Sequence, residues 1–339
     1  MRSSVLPGSG DTRYSVERGA PGGAVGHGGT VEVMAQRLGR CVLLLCCLFA
    51  LAGARASTVA PVVVSSKLST ESATIGHMIR LLLKAHGIPT EDRMTLAGTP
   101  IMRRAIVAGE IDLYVEYTGN AAFFFNQAAD PAWKDLAAGY ALGARLDYAA
   151  HRIVWLTPAP ASNAWALAVR REVAAGNRLT TMTDFGRYVR AGGRVVFACS
   201  AEFINSATLK SLEKTYDFHL SPAQLIVLAG GDTSATIRAA AERTNGTNVA
   251  MVYGTDGGVR AADLVVLADD RADQPVYAPV PIVREAVLRA HPEIRRLVAP
   301  LMAGLTLERL QALNARVQID GDSPVTVAED YLRAVHLLP

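Results

Sequence analysis

Two tyrosines end apolar runs just before glycine turns, which is where an α/β chain offers side chains to a ligand. Tyr117 closes the stretch Ile111 to Asn120 (IDLYVEYTGN), in which Ile111, Leu113 and Val115 alternate with Asp112, Tyr114 and Glu116. A period of two predicts a strand with one buried face, and Thr118-Gly119 stops it. Tyr253 closes Val249 to Tyr253 and empties into Gly254-Thr255-Asp256-Gly257-Gly258. A third ring, Tyr277, lies between apolar neighbours in the predicted strand Val276 to Val283. Ligands of open α/β sheets sit beyond the carboxyl ends of strands, and a binding site needs little more than such rings and one or two polar groups. Taken alone, Tyr117 reads either as a half-buried aromatic closing the core or as a ligand wall.

Catalytic signals are sparse. Cys199 is a lone thiol after a strand with no Cys-His signature, and reads as a small buried hydrophobe. His77 reads as a packed or surface residue. No G-x-S-x-G, H-E-x-x-H or clustered His/Cys set is present, so neither a metal nor a cofactor is expected, and Gly254, Gly257 and Gly258 match no phosphate or dinucleotide loop. Lys67 falls in a strand-to-helix loop, where a lysine is ordinarily solvated.

The elements that must position these residues begin after residue 56. Residues 1–33 are rich in Gly, Ser and Arg without hydrophobic periodicity. From Met34 onward Arg37 and Arg40 precede the apolar run Cys41 to Ala52, and Ala54-Arg55-Ala56 follows as a small-x-small cleavage site. That order is a secretory signal peptide, too short to span a bilayer as an anchor of about 20 residues. Residues 1–56 are therefore expected to be an upstream extension plus a signal peptide, with Met34 the start, cleavage near Ala56 and a periplasmic product. The chain holds 34 basic and 31 acidic residues; six Arg and three acids fall in the removed segment, leaving 28 of each. The neutral remainder gives no electrostatic reason to expect a nucleic-acid partner. Three of the four cysteines lie in the leader, so the mature chain folds without an internal disulfide.

In the mature part, Ala60 to Ser65 predicts a first strand and Ile75, Met78, Ile79, Leu82 and Leu83 a helix after it. Thr99-Pro100 opens a second helix, which leads through Gly109 into the Tyr117 strand. This alternation argues for a parallel sheet covered by helices. Pro158-Ala159-Pro160 separates two strand-like runs and suggests a crossover between domains. The α/β rhythm then repeats to Tyr253. From Arg284 to the end the pattern is helical, with Pro292, Pro300 and Pro324 as breaks. Those helices have no sheet of their own, so the chain is expected to return to its first domain. The expected lobes are 57–162 with 270–339, and 163–269.

Ser66-Lys67 with Thr70-Glu71, then Ala97-Gly98-Thr99-Pro100, then Gly109 to Tyr114 with Glu116-Tyr117-Thr118-Gly119, resemble the substrate-binding proteins of ABC importers for glycine betaine, choline and related quaternary amines. Gly230-Gly231-Asp232-Thr233, Tyr253 to Gly257 and Tyr277 to Arg284 resemble the low-affinity osmoprotectant-binding branch, so the likeness spans the mature chain.

The resemblance implies a type II periplasmic-binding-protein fold: two discontinuous α/β lobes joined by two crossovers, with the ligand between them. It implies an aromatic box for a trimethylammonium group, built from Tyr117 and Tyr277 on one lobe and Trp165 and Tyr253 on the other. Trp165 stands where the family usually has Tyr and keeps a strong cation–π face. Lys67 matches a carboxylate-binding Lys, Asn120 a position that is commonly Thr, and Asn163 a residue whose main chain faces the ligand. After Glu202-Phe203, where many betaine binders carry a clamping Arg, this chain has Ile204-Asn205-Ser206. Losing a charge-assisted bond of about 1.5 to 3 kcal/mol weakens betaine roughly ten- to a hundredfold. The expectation is a monomeric binding protein, not an enzyme, serving a membrane permease and a cytoplasmic ATPase. The alternatives are another cationic or zwitterionic metabolite in the same fold, or a secreted enzyme using Cys199 or His77.

Overall fold

The run Val62-Val63-Val64 is β-branched and favours an extended backbone that packs on both sides. In the computed structural model, which describes residues 60–228 and 233–338, it forms β1 (Val62–Lys67). The first sheet adds β2 (Thr90–Ala97), β3 (Leu113–Tyr117), β4 (Ile153–Trp155) and β10 (Pro279–Arg284) in the order β2-β1-β3-β10-β4. The second is built from β5 (Trp165–Arg170), β6 (Phe197–Ser200), β7 (Leu225–Leu228), β8 (Val249–Tyr253) and β9 (Leu264–Val266) in the order β7-β6-β8-β5-β9. The proposed signal peptide and Gly230-Gly231-Asp232 lie outside the described residues.

Both sheets are mixed, where the sequence suggested parallel ones. β1 runs parallel to β2 and β3, but β10 is antiparallel to β3 and β4. In the second sheet β6 is parallel to β7 and β8, and β5 antiparallel to β8 and β9. The reversed strand in each sheet is the one that the chain enters by crossing from the other: β5 follows β4, and β10 follows β9.

Helices α1 (Thr70–Ala85), α2 (Thr99–Ala108) and α3 (Leu136–His151) belong to the first half of the chain. Next come α4 (Met182–Arg190), α5 (Thr208–Tyr216) and α6 (Thr233–Ala241). The chain ends in α7 (Ile294–Ala303), α8 (Leu307–Gln318) and α9 (Pro324–Ala334). Ser69 caps α1 by accepting from the Ser72 amide, which satisfies one of the helix's free donors. α1 sets Ile75, Met78, Ile79, Leu82 and Leu83 against Val62, Val64, Leu113 and Val115, and the last three helices join this core. The C-terminal helices thus pack in the core of the first sheet. Its other face buries Met102, Ile106, Tyr114, Trp133, Trp155 and Ile282.

With both faces covered, all five residues of β3 are buried, not one alternating face. Two local expectations also change. Pro300 sits inside α7 rather than ending it. Lys67 ends β1 as a buried residue and is not a solvated loop lysine.

The two crossovers bond to one another. The Ala159 amide donates to the Pro279 carbonyl at 2.8 Å and the Asn163 amide to the Tyr277 carbonyl at 2.9 Å. The Tyr277 amide donates to Ser162 Oγ at 3.1 Å. The start of β5 and the approach to β10 are thereby held side by side.

Candidate functional site

Two of the rings are set against each other by backbone pairing, and the other two lie beside the β3–β10 ladder. Trp165 opens β5 opposite Tyr253 at the end of β8, and the antiparallel register makes them cross-strand partners. Their rings stack with centroids 6.3 Å apart and planes 25° apart, while Phe203 meets Trp165 edge-on at 5.5 Å. On the first sheet Tyr117 ends β3 opposite Pro279 of β10, which brings Tyr277 beside the turn after Tyr117. The Tyr277 ring lies over Gly119, where an added Cβ would stand 2.8 Å from it. Gly119 is required there for that close approach. Burial raises the Tyr277 phenol above its ordinary pKa, and the neighbouring Tyr253 adds to the shift. Burial likewise raises Tyr253. The Trp165 indole N–H, near enough to the Tyr253 hydroxyl to favour its ionised form, is buried without a hydrogen bond of normal geometry.

Beneath the rings lies a polar layer that the alternation of β3 did not reveal. Glu116 is fully buried. Its Oε1 accepts from Lys67 Nζ, from the Tyr117 amide at 2.7 Å and from Asn120 Nδ2 at 2.7 Å, and its Oε2 accepts from the Tyr114 hydroxyl at 2.8 Å. Lys67 is 6% exposed. Burial lowers its pKa, opposed by the attraction of Glu116. Its Nζ stands 5.0 Å from the centroid of the Tyr117 ring. Lys67 and Asn120 thus have a common protein partner, and neither is an unengaged donor.

A second carboxylate closes the layer. Glu71, in the first turn of α1, accepts from the Tyr117 hydroxyl at 2.9 Å and Asn163 Nδ2 at 2.9 Å through Oε1, and from Asn314 Nδ2 at 2.9 Å through Oε2. Burial, then Glu71, push the Tyr117 phenol well above its ordinary range, so it remains a donor. Asn314, on α8, also donates to the Thr255 carbonyl at 2.8 Å. Gln311 Nε2 donates to the Gly254 carbonyl at 2.8 Å and Gln318 Oε1 accepts from the Gly257 amide at 3.0 Å. One face of α8 therefore holds the glycine turn that follows Tyr253.

The sequence places Glu71 and Glu116 in the motifs that carry the resemblance but assigns them no role, and nothing in it marks Asn314. A charged residue in a strand alternation reads as outward, and residues 71 and 314 lie 243 positions apart. A signal for Glu116 was available in its place between Tyr114 and Tyr117.

The remaining candidates lie elsewhere. Ser206 turns its hydroxyl to the Phe203 carbonyl at 2.7 Å. Cys199 is buried in β6, and burial pushes its thiol up to about 11. His77, on α1, lies near Asp92 and Arg80, and burial lowers its pKa. Cys199 and His77 are on different sheets' layers and form no dyad. Among the described residues no group of His, Cys, Asp and Glu is arranged to hold a metal ion.

Two mixed α/β sheets bridged by a pair of crossovers define the type II periplasmic-binding-protein class. Residues 60–334 match the family described as the substrate binding domain of ABC-type glycine betaine transport system, and the chain belongs to that family of transport proteins. It is 48% identical over 274 residues to the glycine betaine-binding protein YehZ of Escherichia coli K12, covering 80% of this chain and 90% of the relative. It is 31% identical over 311 residues to a glycine-betaine-binding protein of Pseudomonas aeruginosa, covering 89% of this chain and 96% of the relative. The solved structure of apo YehZ from E. coli superposes with a TM-score of 0.76 at 47% identity, covering 82% of this chain and all of that one. The chain is therefore an ABC-importer binding protein and not an enzyme. Proteins of this family work outside the cytoplasm, and no described helix is long and apolar enough to cross a membrane.

Proposed function

We propose that the protein captures a quaternary-ammonium osmolyte, glycine betaine-like, between Tyr117 and Tyr277 on one lobe and Trp165 and Tyr253 on the other. The observation that supports this reading is the stacked Trp165–Tyr253 pair on one sheet, with the Tyr277 ring against Gly119, just after Tyr117, beside the other. A quaternary ammonium has no hydrogen-bond donors, so ring faces and exclusion of water must select it, each desolvated ring contributing up to about 2 kcal/mol. Asn163 and Asn120 border the Tyr117 ring, and Lys67 Nζ stands 5.0 Å from its centroid. A ligand carboxylate reaching Lys67 competes with Glu116, and Ser206 offers no charge in place of an arginine. Both features favour weak binding of betaine.

In this reading residues 57–162 with 270–339 form one lobe and 163–269 the other, and closing them assembles the box. Residues 1–56 are removed on export to the periplasm, and a monomer delivers the ligand to a permease driven by a cytoplasmic ATPase. Calorimetric titration of the mature protein with glycine betaine, choline, carnitine and proline betaine at millimolar concentration tests the ligand class. Heat from at least one is expected; silence from all four would sink the assignment. A second reading, another cationic or zwitterionic metabolite, is favoured by Ser206 and by the engagement of Lys67 with Glu116. A thermal-shift screen distinguishes it, since any ligand stabilises by RT ln(1 + [L]/Kd).

A further inference from the structure

Glu71 is 3% exposed. Its three side-chain donors, Tyr117, Asn163 and Asn314, are neutral. The other carboxylate of the layer, Glu116, is matched by Lys67, but Glu71 has no ion-pair partner within 4.0 Å among the described residues. A buried carboxylate is costly unless a positive charge and hydrogen bonds compensate it. Here the hydrogen bonds are supplied, and the nearby cation, Lys67 at 5.0 Å from the Tyr117 ring, is already paired with Glu116. The Tyr117 hydroxyl hands its proton toward Glu71, which enriches the phenol ring in electron density and deepens the negative potential at its face, the quantity a cation–π contact reads.

We propose that Glu71 is the counter-charge of the bound cation, acting through the ring of Tyr117, and so sets the preference of the site for a cation over a neutral molecule of the same shape. The inference rests on the aromatic-box reading above. Glu71 is a positioning and polarising residue in this scheme: it touches Tyr117 and Asn163 and not the ligand. It also accepts from Asn314, whose amide donates to the Thr255 carbonyl in the turn after Tyr253.

The test pairs choline with 3,3-dimethylbutan-1-ol, in which a neutral carbon replaces the ammonium nitrogen. Affinities of both for the wild-type mature protein and for Glu71→Gln are measured by calorimetry or by competition. The wild type is expected to prefer choline by at least about tenfold, and Glu71→Gln to weaken choline several-fold while leaving the alcohol within about twofold, so the ratio collapses. Should Glu71→Gln unfold, Tyr117→Phe removes the hydroxyl relay but keeps the ring and the charge, and is expected to lower the ratio in the same direction. Equal losses for both ligands, or an unchanged ratio, would make Glu71 a structural acceptor only and overturn the inference while leaving the box intact. A wild type that binds neither choline nor any other quaternary amine overturns the box and this inference together.

Discussion

Lys67 and Glu116 neutralise one another in a buried layer, which alters what each substitution tests. Removing one partner leaves the other charge uncompensated, so Lys67→Met is expected to destabilise by about 3 to 5 kcal/mol in denaturant unfolding. The double variant Lys67→Met/Glu116→Leu should recover much of that loss; if it does not, the pair is not the source of the effect. At the rings, Trp165→Ala and Tyr253→Ala should each weaken quaternary-amine binding at least about tenfold with unfolding still cooperative, and unchanged affinity in both would remove the box. Cys199 supplies a pH signature. Its thiol is raised from 9.0 to about 11 by burial. The unfolded thiol therefore ionises first, and the stability it contributes is complete below about pH 9 and lost as pH rises through about 11. Thiol-reagent labelling at pH 8 should be slow in the native protein and rapid in urea, and a Cys199→Ala variant should show a shallower alkaline loss of stability.

At the scale of elements, most helices and apolar strands were legible, because their periodicities and caps are local. Thr181, for example, caps α4 in a reciprocal box with Asp184. What escaped the sequence had physical reasons. β2 reads TEDRMTLA and lies at a sheet edge with half of its residues exposed, so no apolar alternation marks it. The direction of β5 and β10 depends on which strands they pair with, and an apolar run carries no sign of direction. Tyr117 and Tyr253 were visible as strand ends and Trp165 only through the family resemblance, but the carboxylates beneath them carried no assigned role, because their partners come from α1, β1, the first crossover and α8. The grip of α8 on the glycine turn is an element-level prediction in its own right. A Cβ on Gly257 would lie 2.1 Å from the Ala315 amide nitrogen, so Gly257→Ala must displace the turn or the helix. A loss of about 1 to 3 kcal/mol in stability is expected, together with weaker ligand binding because the turn carries Tyr253. Wild-type affinity in Gly257→Ala would separate the turn from the site.

For the whole molecule, the bonds around the second crossover confine its freedom. Asp269 accepts from the Asp273 and Gln274 amides at 2.9 and 2.7 Å, and Asp273 accepts from Ser211 and Thr215 at 2.8 and 2.6 Å, which fastens residues up to 274 to α5. Val276 is already bound to the first half, its amide to the Trp133 carbonyl at 2.7 Å and its carbonyl to Thr118 Oγ1 at 2.6 Å. Pro275 is the residue left between the two anchorages. Pro275→Gly is therefore expected to leave the melting temperature within a few degrees while broadening the distance distribution between spin labels on the two sheets; an unchanged distribution would place the pivot elsewhere. The register of Trp165 with Tyr253 and of Tyr117 with Pro279 has a further consequence. Trp165 and Tyr253 are set against each other by pairing within one sheet, and a contact that residues 163–269 must keep with the rest of the chain is the grip of α8 on the turn after Tyr253. A chimaera that takes residues 163–269 from a relative would exchange two walls in one step and keep the other two, making recombination a shorter route to a new ligand than stepwise substitution.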